Sequence, residues 1–294
     1  MGTIKQMFYT ITNNEYSATI SNLGAELKSF RNEIHRDEYI WEGDPEIWNG
    51  SAPILFPIIG RLKNGNYLFH DKTYQLNKHG IARTAVFELN QDQESEKSFI
   101  LRSSSTTEAC YPFKFELEVS FRIESESLQV AYLVRNSGNE MMYFTLGSHP
   151  AFALPLNDCL LVDYYLEFEL EEKLDCFYLE NELLCEEPIA LYLNNEKIIP
   201  ITKNLFNKDA LIFKNIKSQK VSIKNKKSGN RLLLNTGKAP HLAIWAKAGA
   251  PFVCLEPWYS YDDSISSDNE LTKKHGIMQL EKNEEFKTAY TIYV

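Results

Sequence analysis

From Lys114 to Ile123 the chain reads Lys-Phe-Glu-Leu-Glu-Val-Ser-Phe-Arg-Ile, with an apolar residue at every second position. Such a run cannot bury its apolar side chains as a helix, because a period of two puts them all around a helix but on one face of a strand. The alternation resumes at Leu128-Gln-Val-Ala-Tyr-Leu-Val134 after the polar stretch Glu124 to Ser127, and Asn136-Ser-Gly138 follows. The two runs predict a long β-hairpin. Shorter runs of the same kind fall at Phe8 to Thr12, Tyr16 to Ile20, Ser98 to Arg102 and Met142 to Leu146. Others follow at Leu160 to Phe168, Lys220 to Ile223, Arg231 to Asn235 and Phe286 to Val294.

Helical periodicity is scarce. The best candidate is the short segment Glu270-Leu-Thr-Lys-Lys-His275, stopped by Gly276. No strand-helix-strand rhythm appears, glycine and proline are dispersed, and no repeat of about 20 to 50 residues marks a propeller or solenoid. The expected fold is all-β: one large antiparallel β-sandwich with very little helix, forming a single domain over residues 1–294. With 44% hydrophobic and 13% aromatic residues there is material for both a core and aromatic-lined clefts.

Charge narrows the partners. The 31 Lys+Arg against 40 Asp+Glu leave a net charge of -9, which disfavours nucleic acid and anionic membrane surfaces and favours a small ligand. No segment approaches the roughly 18 apolar residues of a membrane span, and the first residues lack a secretory pattern, so the expected location is cytoplasmic. Cys110, Cys159, Cys176, Cys185 and Cys254 form no CxxC pair, and their odd number and wide spacing predict reduced, scattered thiols and no structural zinc.

Two polar residues stand out in apolar, strand-like surroundings: His149 in Gly147-Ser-His-Pro-Ala-Phe152 and Glu256 in Phe252-Val-Cys-Leu-Glu-Pro-Trp258. A histidine and a carboxylate held on rigid backbone can move two protons on one substrate. Each also has a structural alternative. His149 can be a core histidine bonded to a carbonyl, and Glu256 a buried acid paired with an arginine. Its apolar setting predicts a raised pKa for Glu256. Arg61, beside Gly60 in Phe56-Pro-Ile-Ile-Gly-Arg-Leu62, is either an ion-pair partner or a donor to substrate oxygens. His79 and Arg83 flank a glycine in His79-Gly-Ile-Ala-Arg83, a weak signal alone, and Asp209 at the entrance to an apolar run can simply cap a turn. His35, His70, His241 and His275 are read as surface or structural.

Taken in order, Gly60-Arg61, His79-Gly80, Gly147-Ser-His-Pro150, Asp209 and Leu255-Glu-Pro-Trp258 resemble the signature of the aldose 1-epimerase family, the galactose mutarotases. The likeness extends to Asn22-Leu-Gly-Ala-Glu-Leu-Lys28, Tyr111-Pro-Phe113, Gly276-Ile-Met-Gln-Leu280 and Glu284-Glu-Phe286. It implies the family's large sandwich, with a sugar bound in an open groove across one sheet. It also implies that His149 protonates the ring oxygen of a hexopyranose while Glu256 takes the proton of the anomeric hydroxyl. Arg61, His79 and Asp209 would bind sugar oxygens, and neither cofactor nor metal would be needed.

Ser148-His-Pro150 stands where the central galactose mutarotases carry an Asn-His-Ser type of segment, and Gly60-Arg-Leu-Lys-Asn-Gly65 departs from their Gly-Arg-x-x-Asn-Arg type of motif. These forms resemble the branch holding hexose-6-phosphate mutarotases and the mutarotase-like proteins of lactose operons. Arg83 with Arg61 could then hold a phosphate or a hydroxyl. The expected substrate is an aldohexose or a hexose 6-phosphate, on a monomer or homodimer. A non-catalytic carbohydrate-binding or regulatory protein on the same fold is the main alternative. A glycoside hydrolase, which wants two carboxylates about the bond, ranks last.

Overall fold

The computed structural model describes residues 6–155 and 160–294, so Cys159 and the first five residues lie outside the described residues. The predicted hairpin is present as Phe115–Glu124 paired antiparallel with Ser127–Asn136, in a register that sets Leu128 opposite Ile123. Its turn is tight, with Ser125 at a φ of 49°. Along Phe115–Glu124 burial alternates with the sequence, so Phe115, Leu117, Val119, Phe121 and Ile123 all enter the core. Each such side chain contributes about 1.5–3 kcal/mol by leaving water.

This hairpin lies within a nine-stranded antiparallel sheet. The order is Ile189–Pro200, Tyr164–Cys176, Lys220–Asn225, Gly229–Asn235, Glu285–Tyr293, Ser127–Asn136, Phe115–Glu124, Glu96–Arg102 and Glu88–Asp92. Against it packs a six-stranded sheet in which Leu211–Lys214, His241–Trp245, Phe252–Trp258, Gly147–Ser148 and Ile54–Leu55 follow one another, with Ala151–Ala153 also on Phe252–Trp258. Aromatic rings join the layers: Phe56 meets Phe115 at 5.0 Å and Phe168 meets Phe213 at 6.4 Å. A three-stranded sheet, Phe8–Thr12, Tyr16–Ser21 and Glu26–Asn32, adds Ile11, Ile20 and Phe30 to the same core. The fold is thus the all-β antiparallel sandwich that the alternation predicts.

Some boundaries differ from the pattern. The run from Leu160 opens with a 3₁₀ turn at Leu161–Asp163, and the strand begins at Tyr164. Asp163 accepts from the backbone N–H of Leu160 and so caps that turn. The helical candidate at Glu270 to His275 reduces to a single 3₁₀ turn, Leu271–Lys273. A one-turn helix at Ser105–Glu108 escaped the periodicity; Ser104 and Thr107 cap it reciprocally. Among the described residues no helix is long and apolar enough to cross a membrane.

Candidate active site

The strand Phe252–Trp258 is buried along its whole length, which explains why it reads as a continuous apolar run instead of an alternating one. Period two still operates: Cys254, Glu256 and Trp258 leave one face, and the paired strand adds Trp245 opposite Cys254 and Ala243 opposite Glu256. Gly147 pairs with both Trp258 and Leu55, so the neighbouring segment is pinned between two strands. A Cβ on Gly147 would stand 2.9 Å from the Trp258 ring, so glycine is needed for that close approach. Ser148 then points inward, its hydroxyl bonded to Tyr132 Oη at 2.9 Å, and His149 leaves the opposite face with its N–H donating to the Pro53 carbonyl at 3.1 Å.

These placements bring His149 Nε2 to 3.4 Å from Glu256 Oε2. The imidazole stacks on Trp48 at 5.0 Å and meets the edges of Trp245 at 5.7 Å and His79 at 5.9 Å. Glu256 is 1% exposed, and its Oε2, like His149 Nδ1, is buried with no aligned hydrogen-bond partner. Burial pushes the Glu256 carboxyl well above its ordinary range, and the charges of Asp262 and Asp209 add to that while Lys78 opposes it. Burial likewise pushes His149 down to about 3, helped by Arg83 and Lys78. Both shifts favour a neutral pair that holds one proton, on the carboxyl.

The pair opens onto a cavity of about 260 Å³ lined also by Trp48, Lys78, His79, Arg83, Leu179, Asp209, Trp245, Trp258 and Asp262. His79 is fixed from both sides of Gly60: its N–H donates to the Gly60 carbonyl at 2.8 Å, and its Nδ1 accepts from the Gly60 N–H at 3.1 Å. Accepting at Nδ1 leaves the ring proton on Nε2, and burial holds the ring neutral. Asp209 sits at a φ of 72° where it enters the strand Leu211–Lys214, one carboxylate oxygen accepting from the Ala210 N–H at 2.9 Å. Arg83 projects from the 3₁₀ turn Ala82–Thr84.

Five of the six expected residues therefore share one cavity: His149, Glu256, His79, Asp209 and Arg83. Arg61 does not line it. Its side chain is 47% exposed and pairs with Glu182, whose other oxygen receives Lys78 at 3.2 Å. Its backbone N–H donates to Asp262 at 2.8 Å, so Arg61 reaches the cavity only through neighbours. Lys78, Asp262, Trp48 and Trp245 were not anticipated. Lys78 had a signal in its position next to His79. Asp262 had none, because only a contact across 201 positions of sequence places it. A larger hollow of about 540 Å³ adjoins through Asp262, but neither His149 nor Glu256 lines it.

A sandwich that sets a histidine and a carboxylate together in an aromatic-walled cavity is equipped for acid/base chemistry on a small ligand, and the chain belongs to the aldose 1-epimerase family, whose profile matches residues 7–279. It is similar to the chromosomal protein LacX of Lactococcus lactis subsp. lactis, 31% identical over 293 residues, covering 96% of this chain and 97% of the relative. Among solved structures, a galactose mutarotase related enzyme from Lactobacillus acidophilus superposes with a TM-score of 0.92 at 33% identity, over 98% of this chain and 97% of the other. A galactose mutarotase-like protein from Lactobacillus casei gives 0.91 at 28% identity, over 98% and 99%.

Proposed function

We propose that the chain interconverts the α and β anomers of an aldohexose or hexose 6-phosphate by general acid/base ring opening, without a cofactor. The observation that carries this reading is the 3.4 Å contact between His149 Nε2 and Glu256 Oε2 at the wall of a sugar-sized cavity. The ring oxygen and the anomeric hydroxyl share one carbon, so the groups that serve them must also lie close together.

In the proposed reaction Glu256 removes the anomeric hydroxyl proton while His149 delivers a proton to the ring oxygen. The C1 to ring-oxygen bond breaks, leaving the open aldehyde. Rotation about C1–C2 presents the other carbonyl face, and ring closure with both transfers reversed yields the opposite anomer. The pair begins and ends with one proton. Burial puts that proton on Glu256, and the acting tautomer differs only by its transfer to His149. A sugar hydroxyl donating to the carboxylate favours that transfer. His79 Nε2–H, Asp209 and Arg83 are the proposed partners of the other sugar oxygens, and Trp48, Trp245 and Trp258 supply apolar walls for the ring.

Exchange NMR between anomers of glucose, galactose and their 6-phosphates tests the reading. Acceleration of at least one is expected. Binding of these sugars without acceleration of any would instead favour a non-catalytic carbohydrate-binding role.

A further inference from the structure

Cys254 takes no part in the proposed proton transfers, yet it stands beside both residues that do. It precedes Glu256 by two positions on the same strand, so the thiol and the carboxyl leave the same face. The Cys254 Sγ, one carboxylate oxygen of Glu256 and one ring nitrogen of His149 all lie within 4.8 Å of one another. Cys254 is 0% exposed and His149 9% exposed. Glu256 Oε2 and His149 Nδ1 have no aligned hydrogen-bond partner, an arrangement that is costly so far from water.

Sulfur, imidazole nitrogen and carboxylate oxygen on separate side chains are the donor types that zinc accepts. We infer that His149, Cys254 and Glu256 form a binding site for a thiophilic divalent cation of the zinc type, and that occupancy of this site blocks the cavity's chemistry. His149 and Glu256 line the cavity while Cys254 lies behind them, so the cation enters by the sugar's route. Three protein donors leave a fourth tetrahedral position facing the cavity, open to a water or a sugar hydroxyl. Bonds of about 2.0 to 2.3 Å require the donors to close in around the ion, a movement open to all three through side-chain rotation.

Charge favours binding. A dication bound through one thiolate, one carboxylate and a neutral imidazole leaves the buried cluster without net charge. The cavity lining also carries Asp209 and Asp262 beside Lys78 and Arg83, two side chains of each sign, so no excess of basic groups repels the ion. With Glu256 and His149 both coordinated, neither lone pair is available to move a proton.

Cobalt(II) makes the site visible without reference to turnover. Titrating the intact protein with Co²⁺ is expected to produce strong visible bands of a four-coordinate ion and a thiolate-to-cobalt charge-transfer band, both erased by added Zn²⁺. Cys254→Ser, and Cys254→Ala as a second variant, should retain metal-free mutarotation, lose the charge-transfer band and require about tenfold or more Zn²⁺ for inhibition. The absence of a charge-transfer band in the wild type overturns the assignment. So do weak six-coordinate bands only, or equal Zn²⁺ sensitivity in the Ser variant. A protein that shows the cobalt spectrum but no mutarotation would refute the proposed activity and leave the metal site standing.

Discussion

Glu256, the proposed base, combines two properties that such a group seldom has together: a buried position and an oxygen left without an aligned donor. The first raises its affinity for a proton, and the second leaves that oxygen free to address a substrate hydroxyl. Glu256→Gln keeps the shape but cannot take a proton. It should lower the mutarotation rate by about 10²- to 10⁴-fold, while calorimetric sugar affinity stays near that of the wild type; lost affinity with unchanged turnover per bound sugar would contradict the role. The pair also predicts a pH profile. The proposed reaction needs one proton on the two residues, and His149 accepts a second only as pH falls toward about 3. The rate should therefore show no acid limb near pH 6.5, the ordinary histidine value, and an inflection there would show that His149 is not held neutral by burial. Both residues were legible in the sequence, because a lone polar group inside an apolar strand run is rare without a purpose. Asp262 was not, since its local sequence is that of an ordinary loop residue, and Lys78 offered no more than its place beside His79.

The site depends on short connections more than on its long strands. His79 and Gly80 both adopt positive φ, 68° and 75°, in the loop that carries His79 to the cavity. A Cβ on Gly80 would stand 2.3 Å from the Phe56 carbonyl oxygen, so the turn needs glycine for space as well as for conformation. Gly80→Ala should cost about 1–2 kcal/mol from the left-handed backbone alone, with the clash adding to it. Because His79 precedes it, sugar affinity should fall together with the melting temperature. A variant of normal stability and affinity would show that the loop can rearrange at no cost. Period-two alternation revealed the long hairpin and most strands of the large sheet, where one face is buried and the other is half exposed. It was blind to His241–Trp245, which is buried on both faces, and to Ile54–Leu55, which is too short to show a period, whereas Leu211–Lys214 was legible only as a short apolar strand after Asp209.

One apolar cluster runs from Ile11 near the start of the described chain to Ile292 near its end. Within that core lie three histidines that burial holds neutral: His79, His149 and His241. In the unfolded chain each takes a proton as pH falls below about 6.5. The folded state refuses it, so unfolding binds protons and stability must fall with pH. Glu256 and Asp262 act in the opposite sense, because burial raises both; folded, they hold protons that the unfolded chain has released above the ordinary carboxylate range. His241 isolates the histidine contribution, since it lies outside the proposed chemistry. Its Nδ1 accepts from the Asn215 N–H at 3.2 Å, a bond that protonation would break, and its pKa is pushed down to about 4, chiefly by burial and then by Lys214. Its depressed value means that its contribution is fully present above pH 6.5 and is lost between there and about 4. Replacing it by glutamine should flatten the decline in unfolding free energy across that window by at most about 1.4 kcal/mol per pH unit, and by less to the extent that solvent reaches the ring. Urea melts of wild type and His241→Gln at half-unit pH steps measure the difference directly. Parallel curves would mean that His241 titrates alike in both states, and that its burial does not govern its proton.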